Sequence, residues 1–207
     1  MPQKETTVLV GERVKLPTKY GDFELVPFQE KKNGLEHMAL VKGNFTENDT
    51  VITRIHSACA TGDLFGSLKC DCGDQLIKAI QTIEENGKGA IIYLQQEGRG
   101  IGLMNKMKAY KLQENGMDTI EANLHLGFAP DERKYQIAAI ILNLLHIKNI
   151  KLLTNNPDKI DGLTEHGIQV VERIPLIIKP NPFNINYLQT KKKQMGHLYE
   201  INKLAAQ

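Results

Sequence analysis

All three cysteines of this 207-residue chain lie within fourteen residues, at Cys59, Cys70 and Cys72. No other feature constrains the fold as tightly, because any architecture must bring that stretch back upon itself. Thiolates prefer soft or borderline cations, and zinc binds cysteine sulfur at roughly 2.3 Å in a tetrahedron. Side chains two apart in extended backbone point to one side, so Cys70 and Cys72 are expected to grip one ion from extended backbone. Cys59 lies eleven residues before Cys70, enough for a loop to fold back with a third sulfur. Three ligands without a fourth cysteine suggest an open coordination position, the arrangement of a catalytic zinc. Three ordinary buried cysteines are the plainer alternative. A disulfide is disfavoured by the odd count and by the strain of a Cys-x-Cys bridge.

The rest of the chain sets the frame. Its length suits one domain, and 41% hydrophobic with 24% charged residues describes a soluble globular protein. The 26 basic and 24 acidic residues leave a charge of +2. That balance argues against a general nucleic-acid surface, though not against a local basic patch for phosphate. No apolar run approaches the roughly 20 residues of a membrane helix, and Met1-Pro2-Gln3-Lys4-Glu5 lacks a signal-peptide core. A cytoplasmic protein with reduced thiols and no membrane partner is expected.

In chain order, residues 8–25 alternate short apolar runs with turn residues, the pattern of β-hairpins. Residues 37–41 and 51–55 read as strands, the second delivering His56 and Cys59 to its end. Asp74 is expected to cap a helix with Leu76, Ile77, Ile80 and Ile83 on one face, closed by Asn86-Gly87. Residues 89–94 are nearly all apolar, as in a strand buried on both faces. A helix follows from about 103 to 115, stopped by Gly116. Asp131 reads as the cap of another helix, turning Tyr135, Ala138, Ile141, Leu142 and Leu145 inward. Residues 150–153 and 168–171 are further strands, and Pro157 suits the first turn of a short helix closed by Gly167. The pattern predicts a single α/β domain over 1–207: a β-rich N-terminal part, then β-α-β-α-β units forming a mixed sheet with flanking helices. Residues from about 180 to 207 form a polar tail, open between partial disorder and docking on a partner subunit.

Several short segments suit ligands. The turn Gly98-Arg99-Gly100-Ile101-Gly102 leads from a buried strand into a helix. It reads either as a phosphate site, with backbone N–H groups and a helix N-terminus facing an anion, or as a plain tight turn. It is neither a Walker loop nor a dinucleotide fingerprint. Glu97 and Arg99 at that strand end suit a purine edge and a phosphate. In Asp131-Glu132-Arg133, Asp131 is either a helix cap or a proton carrier beside a phosphate-facing Arg133. Thr154 and Lys159 flank an Asn-Asn-Pro turn and can hold phosphate oxygens, although a lysine there is more commonly solvated. His56 has three readings, a fourth metal ligand, a core histidine or, the favoured one, a substrate contact.

Together these segments resemble GTP cyclohydrolase II, the first committed enzyme of riboflavin synthesis. The matching residues are Arg54-Ile55-His56-Ser57, Cys59, Thr61-Gly62-Asp63, Cys70-Asp71-Cys72-Gly73, Gln75, Gln96-Glu97-Gly98-Arg99, Asp118-Thr119, Glu121-Ala122-Asn123, Asp131-Glu132-Arg133, Leu153-Thr154-Asn155-Asn156-Pro157, Lys159 and Met195-Gly196-His197-Leu198. The likeness implies that Cys59, Cys70 and Cys72 hold Zn2+ with water in the fourth position. It implies GTP contacts from Arg54, His56, Ser57, Gln75, Glu97, Gly98, Arg99, Thr119, Thr154 and Lys159. Asp131 would be the proton acceptor and Arg133 the nucleophile toward the α-phosphate, releasing pyrophosphate. Tyr110 joins these catalytic residues, where the family has a tyrosine near the purine. The reaction would open the guanine imidazole ring and release formate, with Mg2+ on the GTP phosphates, in a homodimer of the stand-alone form. The family usually has Glu where this chain has Ala58. Competing readings are a paralogue with an altered product or purine nucleotide, and a zinc-stabilised nucleotide-binding module without turnover. A nucleobase deaminase is disfavoured, because its His-x-Glu and Pro-Cys-x-x-Cys signature is absent.

Overall fold

Alternation of buried and partly covered side chains builds the first half of the sheet. The computed structural model describes residues 7–198. Strands β1 (Val8–Val10), β2 (Val14–Thr18), β3 (Gly21–Glu30) and β4 (Glu36–Lys42) pair antiparallel, β3 lying against each of the other three. In β4 the cause is visible: His37, Ala39 and Val41 are buried and the residues between them are not.

The second half is parallel and grows from the apolar runs. β5 (Thr50–Ser57) lies between β6 (Gly89–Leu94) and β7 (Asn149–Leu153) and is parallel to both, and β8 (Gln169–Ile174) is parallel to β7. β6 runs antiparallel to β4 and so joins the halves into one mixed, eight-stranded sheet. Helices α1 (Ala60–Asp63) and α2 (Cys72–Asn86) connect β5 to β6. Helices α3 (Gly102–Glu114), α4 (Thr119–His125) and α5 (Gln136–Leu144) connect β6 to β7, α6 (Pro157–Thr164) connects β7 to β8, and α7 (Ile185–Gln194) follows. Ile137, Ala138, Ile141 and Leu142 of α5 pack on one face with Ile55, Ile92, Ile150 and Leu152. Ala79 and Ile83 of α2 pack on the other with Phe23, Ile91 and Leu153. Burial on both faces is why β6 reads as an apolar run. The single-chain α/β arrangement with a mixed sheet and flanking helices is as expected. Among the described residues no helix is long and apolar enough to cross a membrane.

The topology fixes where a ligand can sit. The chain leaves β5 toward β6 on one side and later crosses to β7 on the other. The order therefore reverses at β5, and the crevice at such a point opens beyond the carboxyl ends of the strands. Those ends are Ser57, Leu94 and Leu153.

Several local expectations are corrected. Helix α2 begins at Cys72 with Asp71 at the N-cap, so Asp74 lies within its first turn rather than capping it. Cys72 is therefore helical, and Cys70 stands before it between a turn at 68–69 and a bend at Asp71; the pair closes by a change of direction, not in extended backbone. Ile77 is 36% exposed, while Gln75 is buried in its place. Asp131 caps nothing, because α5 starts at Gln136 and Arg133 engages the carboxylate instead. Helix α4, with its Asp118–Glu121 capping box, has no counterpart in the expected elements. The tail docks on its own chain: Leu188 is buried, and Leu198 N donates to Asn155 O at 2.8 Å. The remainder of the tail, 199–207, lies outside the described residues.

Candidate active site

At the end of β5 the chain turns into the one-turn helix α1, and the sulfurs of Cys59, Cys70 and Cys72 meet within 4.8 Å of one another. Cys59 Sγ and Cys70 Sγ are 3.7 Å apart. A tetrahedral zinc at roughly 2.3 Å from each sulfur requires a separation of about 3.8 Å, so the donor set fits that ion. Gly62 keeps the space open. A Cβ there would stand 2.9 Å from Cys70 Sγ and 3.3 Å from Cys59 Sγ. Hydrogen bonds from Cys70 and Cys72 hold the Cys59 thiol far below its ordinary pKa. The same bond to Cys59 is the main cause that pushes Cys70 up to about 11. One sulfur is thus already favoured as thiolate, which a metal ligand must be.

The sulfur loop is braced from behind. Asp63 accepts from Cys59 N at 3.0 Å, from Tyr93 OH at 2.9 Å, and pairs with His56 Nε2 at 3.1 Å. The His56 and Tyr93 rings stack at 5.4 Å between centroids. His56 stands outside the group of potential metal ligands among the described residues, and its Nε2 is engaged by Asp63. Burial, the leading cause, holds its pKa below the ordinary histidine value. Glu97 braces the other side: Oε2 accepts from Ala60 N at 2.5 Å, and Oε1 from Gly98 N and Lys106 Nζ, each at 2.8 Å. Beyond it Gly98 and Arg99 adopt left-handed backbone, φ 62° and 61°. For arginine that conformation costs on the order of 1 kcal/mol and marks a held, functional turn. Glu132 N fixes it by donating to Arg99 O at 3.0 Å.

In front of the sulfurs lies a cleft of about 650 Å³. It is lined by all three cysteines, by Arg133 and Tyr110, and by every expected nucleotide contact: Arg54, His56, Ser57, Gln75, Glu97, Gly98, Arg99, Thr119, Thr154 and Lys159. Arg54 donates to Leu153 O at 2.8 Å and to Gln75 Oε1 at 2.6 Å, crossing from β5 to β7 and α2. Lys159 is not a solvated lysine. It is buried and donates to Ile55 O at 2.7 Å, and burial, then the Arg54 charge, holds its pKa well below the ordinary value. Burial also pushes the Tyr110 phenol up to about 12. Asp131 is the exception, because it does not line this cleft. Both its oxygens face Arg133, with Nε contacts of 2.8 and 3.1 Å and a further bond to Nη2. Burial would raise its pKa, but the hydrogen bond from Arg133 outweighs that and holds it below the usual carboxylate range.

Five lining residues carry buried polar atoms without a hydrogen-bond partner among the described residues: His56 Nδ1, Ser57 Oγ, Gln96 Oε1, Arg99 Nη2 and Asn156 Nδ2. Buried polar groups in folded proteins are nearly always satisfied, so five orphans around one cleft point to a polar ligand. A further part of the wall comes from α7 and the residues after it, through Tyr187, Thr190, Lys191 and His197. Lys191 Nζ reaches Asp71 Oδ1, between the two neighbouring cysteines, at 3.2 Å and lies 4.3 Å over the Tyr187 ring. Sequence reasoning missed Asp63, Tyr93, Lys106, Tyr187 and Lys191 as parts of the site. Apart from Asp63's place in Thr61-Gly62-Asp63, none carries a local signal, because each acquires its role from partners distant in sequence.

The GTP cyclohydrolase II family profile matches residues 10–175. The chain is similar to the Riboflavin biosynthesis protein RibBA of Phocaeicola vulgatus, 56% identical over 97% of this chain and 50% of the relative. The protein of that name from Porphyromonas gingivalis is 60% identical over 94% of this chain and 48% of its own length. GTP cyclohydrolase-2 of Buchnera aphidicola subsp. Acyrthosiphon pisum is 53% identical over 90% of this chain and 96% of its own length. The chain thus spans about half the length of the first two relatives and nearly all of the third.

Proposed function

The chain belongs to the GTP cyclohydrolase II family, and we propose that it hydrolyses GTP, opening the guanine imidazole ring and releasing formate and pyrophosphate, as the first committed step of riboflavin synthesis. The observation that carries this reading is a three-sulfur cluster at the reversal point of the sheet, opening directly onto a cleft of buried cations and orphaned polar atoms. Cys59, Cys70 and Cys72 would hold zinc. When bound there, zinc supplies Lewis acidity toward water and the purine ring.

The chain's own residues do the rest. Ser57 Oγ, His56 Nδ1 and Arg99 Nη2 offer unspent hydrogen-bonding capacity to the nucleotide, with Gln75, Gly98 and Thr119 beside them. Arg54, Lys159 and Thr154 form a buried floor for phosphate oxygens, and a bound anion would raise the lowered Lys159 pKa by supplying a counter-charge. Glu97 is already occupied by three donors, so its part is to hold the sulfur loop against the glycine turn and to meet guanine only with its remaining lone pairs. Tyr110, which lines the cleft, would act beside the purine as a catalytic residue.

Arg133 faces the cleft with its guanidinium fixed by Asp131, and its role is attack on the α-phosphate. An N–P bond forms as the P–O bond to pyrophosphate breaks, the guanidinium sheds a proton to Asp131, and water then cleaves the N–P bond to restore the arginine. A proton-acceptor role for Asp131 requires that pair to open. As Arg133 engages phosphorus, Asp131 loses its counter-charge, its pKa rises, and it becomes able to take a proton. Mg2+ would arrive on the GTP phosphates, since the only cluster of three potential ligand groups among the described residues is the cysteine set. The same reading makes the protein a cytoplasmic homodimer with one such domain over 1–207.

The test is mass spectrometry of the products after zinc-loaded protein is incubated with GTP and Mg2+. Formate, pyrophosphate and 2,5-diamino-6-(5-phosphoribosylamino)pyrimidin-4(3H)-one are expected. A pyrimidine heavier by one CO would assign a formyl-retaining reaction, and unchanged GTP in protein carrying one zinc per chain would leave a binding module.

A further inference from the structure

A lysine in the middle of a helix usually keeps its ammonium in water. Lys106 of α3 does not: the residue is 8% exposed. Its ammonium meets Glu97 Oε1 at 2.8 Å, Thr61 Oγ1 at 3.0 Å and Cys59 Sγ at 3.2 Å. Those contacts use all three donors of an ammonium group. The chain makes room for the stem, because a Cβ on Gly98 would stand 3.1 Å from Lys106 Cβ. A buried cation costs several kcal/mol unless it is paired. Glu97 alone would satisfy the charge, yet Glu97 also accepts from two backbone N–H groups. The ammonium instead spans the carboxylate and the sulfur. Two other lysines stand near this loop, and their printed partners are elsewhere: Lys69 pairs with Glu114 at 3.5 Å, and Lys191 sends its ammonium to Asp71.

We propose that Lys106 is a positioning residue for the cysteine cluster, hydrogen-bonding the Cys59 sulfur, offsetting the negative charge of three thiolates around a dication, and tying that sulfur to Glu97 at the end of β6. The inference rests on the zinc reading above. Three thiolates and Zn2+ sum to one net negative charge, and an N–H···S bond withdraws electron density from the sulfur that accepts it. Both effects tune a metal through its outer partners.

The experiment compares wild type with Lys106→Met, which keeps an apolar stem and removes charge and donors. Zinc retention is measured against a chromophoric chelator, and the sulfur-to-cobalt charge-transfer band is recorded after Co2+ loading. Lys106→Met should release zinc at least tenfold more readily and move the band to lower energy, and Lys106→Arg should recover part of both. Circular dichroism checks the fold. Should Lys106→Met not fold, Lys106→Gln keeps a neutral donor in the same space and should still release zinc more readily. Zinc retention within twofold of wild type and an unmoved band, in a folded variant, would overturn the proposal and leave Lys106 a packing residue. Wild type that takes up no zinc overturns the metal reading and this inference with it.

Discussion

The antiparallel strands β1–β4 and the parallel strands β5–β8 share one sheet, yet the first residue to line the cleft is Arg54. Antiparallel neighbours are joined by tight turns, so their side chains go into the core and their loops scatter to both edges. Parallel neighbours need crossovers, and every crossover leaves from the same edge. The loops after β5, β6 and β7 therefore converge, bringing sulfurs, a strained arginine turn and an Asn-Asn-Pro turn to one place. The lesson is a division of labour imposed by connectivity: the first half supplies rigidity, and the second supplies chemistry.

Substitutions can break or sharpen that contrast. Cys70→Ser should abolish zinc binding and lower turnover by at least about a thousandfold, some 4 kcal/mol of barrier. Hydrogen exchange in β1–β4 should stay unchanged, and loosening there would mean the halves are not separable. Arg133→Lys keeps the charge but loses the planar fork that Asp131 grips, so kcat should fall about a hundredfold with KM nearly constant. Equal losses in kcat and affinity would reduce Arg133 to a binding group.

Acid should act on the second half first. Burial holds His197 neutral, its pKa down at about 2 against 6.5 when exposed. Below pH 6.5 the unfolded chain binds a proton that the folded chain refuses, so stability falls as pH falls, by up to about 2 kcal/mol at pH 5. Exchange should rise first around residues 185–198, and His197→Asn should flatten the pH slope; an unaltered slope would clear His197 of the effect. The mildest test is Val41→Ala in β4. Losing two buried carbons should cost about 1.5 kcal/mol of stability at unchanged KM. A raised KM would show that the wall of the first half shapes the cleft.

What was legible in the chain is what neighbouring residues decide. Gly87 ends α2 in the left-handed conformation, and Pro157 opens α6 with Asn156 capping it, as their positions imply. The apolar run of β6 announces burial on two faces. The three sulfurs stood out because nothing else in the sequence shares their chemistry. What was hidden depends on distant partners. Asp131 has the local look of a helix cap, but its oxygens take the backbone N–H and the guanidinium of Arg133, and the next helix starts only at Gln136. Lys106 lies 47 residues from Cys59, and no periodicity marks that pairing. Helix α2 starts early because the sulfur of Cys72 must turn back toward Cys59, which overrides the cap expected at Asp74.

The bond from Lys191 to Asp71 spans 120 residues and ties the last segment lining the cleft to the sulfur loop. It also sets a calendar. As the chain leaves the ribosome, the sheet and the sulfur loop are in hand long before the segment that walls the cleft has been made. A nascent protein therefore acquires its metal clasp early and its enclosed pocket last. Arrested chains ending before residue 180 should take up zinc yet hold GTP poorly.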